Sequence, residues 1–273
     1  MDRARRVTAT HAPHVAGYLT GVPGTSGEEV HVATLLVVEH EESCPPGLLA
    51  DAAQDAGVAL WRVAAGTGEP LPDDAELAGV DGVAVLGGSM DVGDLPDFPH
   101  LGAVMELIRR AAARALPTLG ICLGAQLAAA ALGGRAYRGD AGLEVGWTPV
   151  TLTAAGRSDA VLGALRHDRR HGDGEDGPRV FQWHHDTYDL PPGATLLARG
   201  DRYHNQAFRL GSVVAVQFHP EVDADLIRRW YQASRVAPPV PLEASVDGAA
   251  RYARRARRVL DAFCQRLTRR SPR

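Results

Sequence analysis

Lysine is absent from this 273-residue chain, so all 29 basic residues are arginines, a bias that suggests coding preference rather than chemistry. Against 33 acidic residues they leave a formal net charge of -4. So mild an acidic balance gives no reason to expect nucleic acid or an anionic membrane as a partner. Cysteine is scarce, and Cys44, Cys122 and Cys264 form no CxxC pair or metal-ligand spacing. An odd, sparse count fits a reducing cytoplasm, the expected location. No run approaches the roughly 20 apolar residues of a membrane span. The arginine-bearing N-terminus has no continuous apolar stretch ahead of a cleavage site, and no glycine-rich phosphate loop is found. What is present, 45% hydrophobic and 23% charged residues, suits a soluble globular protein with length for one large domain or two small ones.

Residues 1–31 are rich in Gly, Thr, His and Pro without a sustained period, and are expected to form a mostly disordered extension. From there the pattern alternates. Val32 to Val38 reads as a strand, Gly47 to Gly57 as a helix through Leu48, Leu49, Ala52 and Ala56, and Val58 to Val63 as a second strand. This βαβ opening predicts a parallel sheet with right-handed crossovers. Asp81 to Leu86 is a third strand ending in Gly87-Gly88-Ser89, and Leu101 to Leu116 an amphipathic helix facing the core through Val104, Leu107, Ile108 and Ala111. After Val145 come short strands, VGWTPVTL, VFQWHHDTY, ATLLARG, QAFRL and SVVAVQF, interrupted by an exposed polar loop at 166–178. Helices are predicted at Leu226 to Val236 and Gly248 to Leu267, on either side of a proline-rich link at 237–241. The expected fold class is therefore α/β: three layers around a mostly parallel sheet, with a smaller antiparallel region. The main domain would span 32–236, and 237–273 would hold the link, a helix and a basic tail.

The stretch that carries chemistry is Leu116 to Gly134, LPTLGICLGAQLAAAALGG, which reads as strand, tight turn and helix with Cys122 at the corner. A cysteine at a helix N-terminus meets unpaired N–H groups and the positive end of the helix dipole, both of which favour a thiolate. Gly120 and Gly124 leave room for a sharp turn. A lone cysteine is more often a buried core residue; the glycines and the strand-to-helix junction argue against that here. A glycine pair after a strand is usually a plain turn, but Gly87-Gly88, one βα unit before the corner, is a candidate oxyanion loop.

The second cluster is Gln217-Phe218-His219-Pro220-Glu221, at the end of the strand Val213 to Phe218. A thiol nucleophile needs a base, and the base needs an orienting acceptor. His219 and Glu221 supply both, where an isolated His-Pro-Glu would be read as a surface turn. His184, His185 and Asp186 suggest a metal site, but neighbours on a strand face opposite sides and no third ligand has supportive spacing, so no metal is expected.

Gly-Ile-Cys-Leu-Gly-Ala-Gln at 120–126 together with Gln-Phe-His-Pro-Glu at 217–221 resembles the class I, or triad, glutamine amidotransferases. Gly-Gly-Ser-Met at 87–90 is similar to their oxyanion loop, and Gln-Trp-His-His-Asp-Thr at 182–187 to their substrate loop. The subgroup most like it is the stand-alone domains related to the glutaminase part of GMP synthase, over about Val32 to Trp230. The resemblance implies a flavodoxin-like fold, with Cys122 attacking the glutamine side-chain amide. The oxyanion would lie on the backbone N–H groups of Gly88 and Leu123, His219 would protonate the departing ammonia, and Glu221 would orient His219. Gly87, Gln126 and the backbone at Trp183 and His184 would hold the rest of the substrate, and no cofactor is implied. Ala125, His185 and Ser89 depart from the family pattern, but none of them removes a catalytic group.

Three functions follow. One is a glutaminase subunit releasing ammonia to a separate synthase, since no synthase domain follows the triad. Another is a γ-glutamyl peptide or amide hydrolase. The third is a non-catalytic regulatory subunit, which the complete Cys-His-Glu set disfavours.

Overall fold

The computed structural model describes residues 31–166, 177–234 and 237–269. The extension at 1–30, most of the 166–178 loop and the last residues of the basic tail lie outside the described residues.

The chain opens with β1 (Thr34–Glu39), α1 (Leu48–Asp55), β2 (Ala59–Ala64), α2 (Asp74–Ala78), β3 (Gly82–Val85), α3 (His100–Ala113), β4 (Thr118–Ile121) and α4 (Leu123–Ala131). The short elements β5 (Arg135–Arg138), β6 (Glu144–Pro149), β7 (Thr151–Leu152) and α5 (Ala154–Ser158) follow. Then come β8 (Arg179–His184), β9 (Asp186–Asp189), β10 (Thr195–Arg199), β11 (Asn205–Leu210), β12 (Val213–Val216), α6 (Ala224–Ala233) and α7 (Leu242–Thr268).

Eight strands form the main sheet in the order β2-β1-β3-β4-β12-β11-β10-β7. The first five are parallel and the last three pair antiparallel. The continuous apolar runs of β3, β4 and β12 follow from cover on both faces. Alternation along the strands separates two apolar layers. Leu35, Val37, Leu119, Ile121, Val214 and Val216 face one way, against Leu49 of α1 and Phe263 of α7. Leu36, Val38, Val83, Val85, Val213 and Ala215 face the other way, against α3 and α4. The expected three-layer α/β architecture is therefore present, with two small antiparallel sheets, β5-β9 and β6-β8, beside it.

Three expectations need correction. VFQWHHDTY is not one strand: it breaks at His185, so that β8 pairs with β6 and β9 with β5. The last helix begins at Leu242 rather than Gly248. Its first turns pack on β6, where the Trp147 ring donates to the Ser245 carbonyl at 2.8 Å, and its far end lies in the core of the main sheet. The sheet ladder of β12 stops at Val216, two residues short of Phe218. The main chain then leaves the sheet, with Gln217 N donating to Gln206 O and His219 N to Phe181 O, each at 2.8 Å.

β1 lies between β2 and β3, so the chain reverses its direction of travel across the sheet there. Ligands in such folds collect outside the carboxyl ends of the strands near the reversal. Glu41 follows β1, Gly87 and Gly88 follow β3, Cys122 follows β4, and His219 follows β12.

Candidate active site

Cys122 occupies the single residue between β4 and α4, with φ 52° and ψ -108°. Positive φ in a non-glycine residue is strained backbone, and such strain gathers at functional sites. Here it is held by Cys122 N donating to Val216 O at 2.9 Å, while the Cys122 carbonyl accepts from Ala125 and Gln126 in the first turn of α4. The glycines serve close approach. A β-carbon on Gly124 would overlap the Val85 carbonyl oxygen, and one on Gly120 would stand 2.6 Å from Gly124 O. The corner is thus pressed against β3, and only glycine fits.

Cys122, His219 and Glu221 are all at least 95% buried. His219 Nδ1 lies 2.7 Å from Glu221 Oε1, and its Nε2 has no oxygen or nitrogen partner among the described residues. Burial alone would lower the His219 pKa. The charge of Glu221 and then that of Cys122 outweigh it and push the value up to about 10. Both neighbours therefore favour the protonated ring. Trp230 packs its ring edge-on to His219, with centroids 4.7 Å apart, and is anchored by Nε1–H donating to Ser43 O at 2.7 Å. Leu48 N donates to Glu221 O at 2.8 Å, tying the start of α1 to the same turn.

Gly87 brings the backbone beside this pair. A β-carbon there would stand 3.1 Å from His219 Cε1 and 3.6 Å from Cys122 Cβ. Gly88 follows, against the Leu123 side chain and His40. His40 is buried, with Nδ1 3.2 Å from His100 Nε2. Burial, and then His100, hold its pKa down to about 3, so it is neutral behind the loop.

The sequence-predicted residues fall into two groups. Cys122, Gly88, Trp183 and His219 line a cavity of about 570 Å3, and Trp183 O lies 3.9 Å from the Cys122 sulfur. Gln126 and His184 sit behind that surface. The Gln126 amide donates to Asp186 O at 3.3 Å and to Gln217 Oε1 at 3.4 Å, while Gln217 Nε2 in turn donates to the Cys122 sulfur at 3.7 Å. His184 turns away, with Nε2 3.3 Å from Glu144 Oε2 and Nδ1 2.8 Å from Asp186 O. Sequence reasoning gave no role to Gln217, Trp230, Glu41 or Cys44, although all but Gln217 line the cavity. The rule that parallel-strand ends collect a site would have flagged Glu41, two residues past β1.

The break at His185 also changes the spacing argument about metals. Asp91, His185 and Asp186 place their ligand atoms within 4.8 Å of one another, with Arg138 Nη1 3.5 Å from Asp91 Oδ2 and His185 Nδ1 2.6 Å from Asp186 Oδ1. Asp91 and Asp186 thus already have cationic or donor partners.

Residues 52–229 match the family profile described as "Glutamine amidotransferase class-I". One subunit of the glutamine-hydrolysing GMP synthase of Natronomonas pharaonis is 34% identical over 52% of this chain and 66% of its own length. Gamma-glutamyl peptidase 5 of Arabidopsis thaliana is 28% identical over 62% of this chain and 63% of its own. The chain thus spans just under two thirds of these relatives. The crystal structure of a glutamine amidotransferase from Thermotoga maritima superimposes with a TM-score of 0.75 at 29% identity, covering 88% of this chain and 100% of that one. Among the described residues, no helix is long and apolar enough to cross a membrane.

Proposed function

Since the chain belongs to the class I glutamine amidotransferase family, we propose that it hydrolyses a γ-glutamyl carboxamide through a Cys122-His219-Glu221 triad. Cys122 attacks the carbonyl carbon, and the backbone N–H groups of Gly88 and Leu123 take the oxyanion. Leu123 is the first residue of α4, where N–H groups have no partner within the helix. His219 protonates the departing nitrogen and then accepts a proton from the water that cleaves the γ-glutamyl thioester. Glu221 keeps Nδ1 protonated and the ring oriented. Gln217 donates to the sulfur, and Gln126 sets the orientation of the Gln217 amide.

The observation that carries this reading is the His219–Glu221 pair, fully buried and 2.7 Å apart, beside a cysteine at a strained strand-to-helix corner that opens on a cavity. Its test is irreversible labelling of Cys122 by a glutamine-mimicking electrophile. Labelling blocked by glutamine and absent in Cys122→Ser is expected; a chain that takes no label, or takes it equally with glutamine present, overturns the triad.

Two fates of the nitrogen divide the reading. A glutaminase subunit passes ammonia to a separate synthase and turns over slowly alone. A γ-glutamyl amide hydrolase releases an amine for its own sake. The cavity favours the second, because about 570 Å3 is a volume suited to drug-sized ligands and more than one amino acid fills.

A further inference from the structure

The cavity extends past the thiol, and its outer part has a consistent electrostatic character. Glu41 lines it, half-buried, and its carboxylate is held rigidly by donors that carry no charge. Ser89 N donates at 3.0 Å and Ser89 Oγ at 2.7 Å, and the Cys44 thiol at 3.2 Å. Burial first, and the Glu41 charge second, push the Cys44 thiol far up, so it stays a neutral donor. Among the described residues no arginine or histidine pairs with Glu41. Among the described residues no arginine lines this cavity. A protonated His219 is already matched by Glu221.

The aromatic part of the lining has the same preference. Trp183 and Trp230, with ring centroids 5.9 Å apart, line it with indoles, the side chains that interact best with cations. Ala233 and Ser234 bring the carboxyl end of α6 to the cavity, where the helix dipole is negative. A carboxylate with no cationic partner among the described residues, two indoles and a helix carboxyl end around one space favour a positive group and penalise a negative one.

We propose that this outer space is a leaving-group subsite, and that the substrate is a γ-glutamyl amide of an amine carrying a second, positively charged nitrogen, with Glu41 as the residue that selects it. The inference rests on the triad reading above. The Cys122 sulfur forms the bond to the γ-carbonyl carbon, and the C–N bond breaks with its electron pair and a proton from His219 going to the amine. Water then cleaves the thioester, so that amide plus water gives glutamate plus the free amine, with no redox change.

The test compares hydrolysis of glutamine, γ-glutamyl ethylamide, γ-glutamyl aminoethylamide and γ-glutamylglycine by the full chain. All four share the α-ammonium and α-carboxylate, so any preference reports on the leaving group alone. Expected is a kcat/KM for the aminoethylamide at least tenfold above the ethylamide, with γ-glutamylglycine at least tenfold below it. Glu41→Gln should bring aminoethylamide and ethylamide within about threefold of each other, while Glu41→Asp keeps part of the gap. Equal rates for the three amides, or preference for γ-glutamylglycine, overturn the subsite while leaving hydrolysis of glutamine, and so the triad, intact. An equal loss on all four substrates in Glu41→Gln also overturns it, since Glu41 would then act on the α-ammonium or on the Ser89 loop alone. If none of the four acylates Cys122, the triad reading fails and the subsite with it.

Discussion

Replacing Glu221 by glutamine removes one buried charge while keeping the shape and the hydrogen bond to His219 Nδ1. The carboxylate oxygen is 2.7 Å from Nδ1, and both residues are at least 97% buried. Unit charges about 4 Å apart interact by about 4 kcal/mol at an effective dielectric of about 20. At about 1.4 kcal/mol per unit, the His219 pKa should fall by about 3 units from its value of about 10. The sign for stability follows. A folded pKa raised above the free value of 6.5 contributes stability that is complete below about 6.5 and is lost as pH rises through about 10. Glu221→Gln should therefore shorten the alkaline limb of stability by roughly the same interval. The assay is a 15N-histidine NMR titration from pH 5 to 11, which needs no substrate, with urea melts at pH 7 and 9.5. A His219 resonance still titrating near 10 in the variant would refute the assignment of its raised pKa to Glu221. Turnover at pH 7 should drop by about 100-fold or more, as for a triad that loses its orienting charge.

Alkylation at pH 7 should modify Cys122 and spare Cys44 and Cys264, because burial holds the Cys44 thiol far up and pushes Cys264 up to about 12. Peptide mass mapping that finds Cys44 or Cys264 modified as fast as Cys122 would contradict this. Gly124→Ala should cost about 3 kcal/mol or more, because its β-carbon meets the Val85 carbonyl with no flexible neighbour to yield. Gly93→Ala, with open space around it, should melt within about 2 °C of the parent. Trp230→Ala, losing a ring 8% exposed and its bond to Ser43 O, should cost about 3–5 kcal/mol, a fall in Tm on the order of 10 °C. A loss under about 1 kcal/mol would show that the ring is not structural.

The amino-acid order alone was enough to place the parallel strands and the chemical corner, because both depend on local pattern. β3, β4 and β12 are short apolar runs bounded by turns, and Cys122 lies between two glycines where such a run meets an alanine-rich helix. The Gln-Phe-His-Pro-Glu turn was legible for the same reason, since base and orienter are two residues apart. Long-range contacts decided the rest. VFQWHHDTY has strand propensity throughout, and only pairing with β6 on one side and β5 on the other breaks it at His185. The first turns of α7 carry a helical apolar spacing, Leu242, Val246 and Ala249, that Gly248 interrupts, and they pack against Trp147. The short elements α2, α5 and β5 left no periodic signal; Arg135–Arg138 is a strand because β9 is there to pair with it.

The same division runs through the site. Sequence spacing named the thiol, the imidazole and the carboxylate. Glu41 and Ser89 are 48 positions apart, and Ser43 and Trp230 187 apart. They meet because β1 and β3 are neighbours in the sheet and α6 packs against the segment that follows β1. Hydrophobic pattern reports which face of an element is buried, not which element buries it, so the walls of the cavity exist only in the assembled fold.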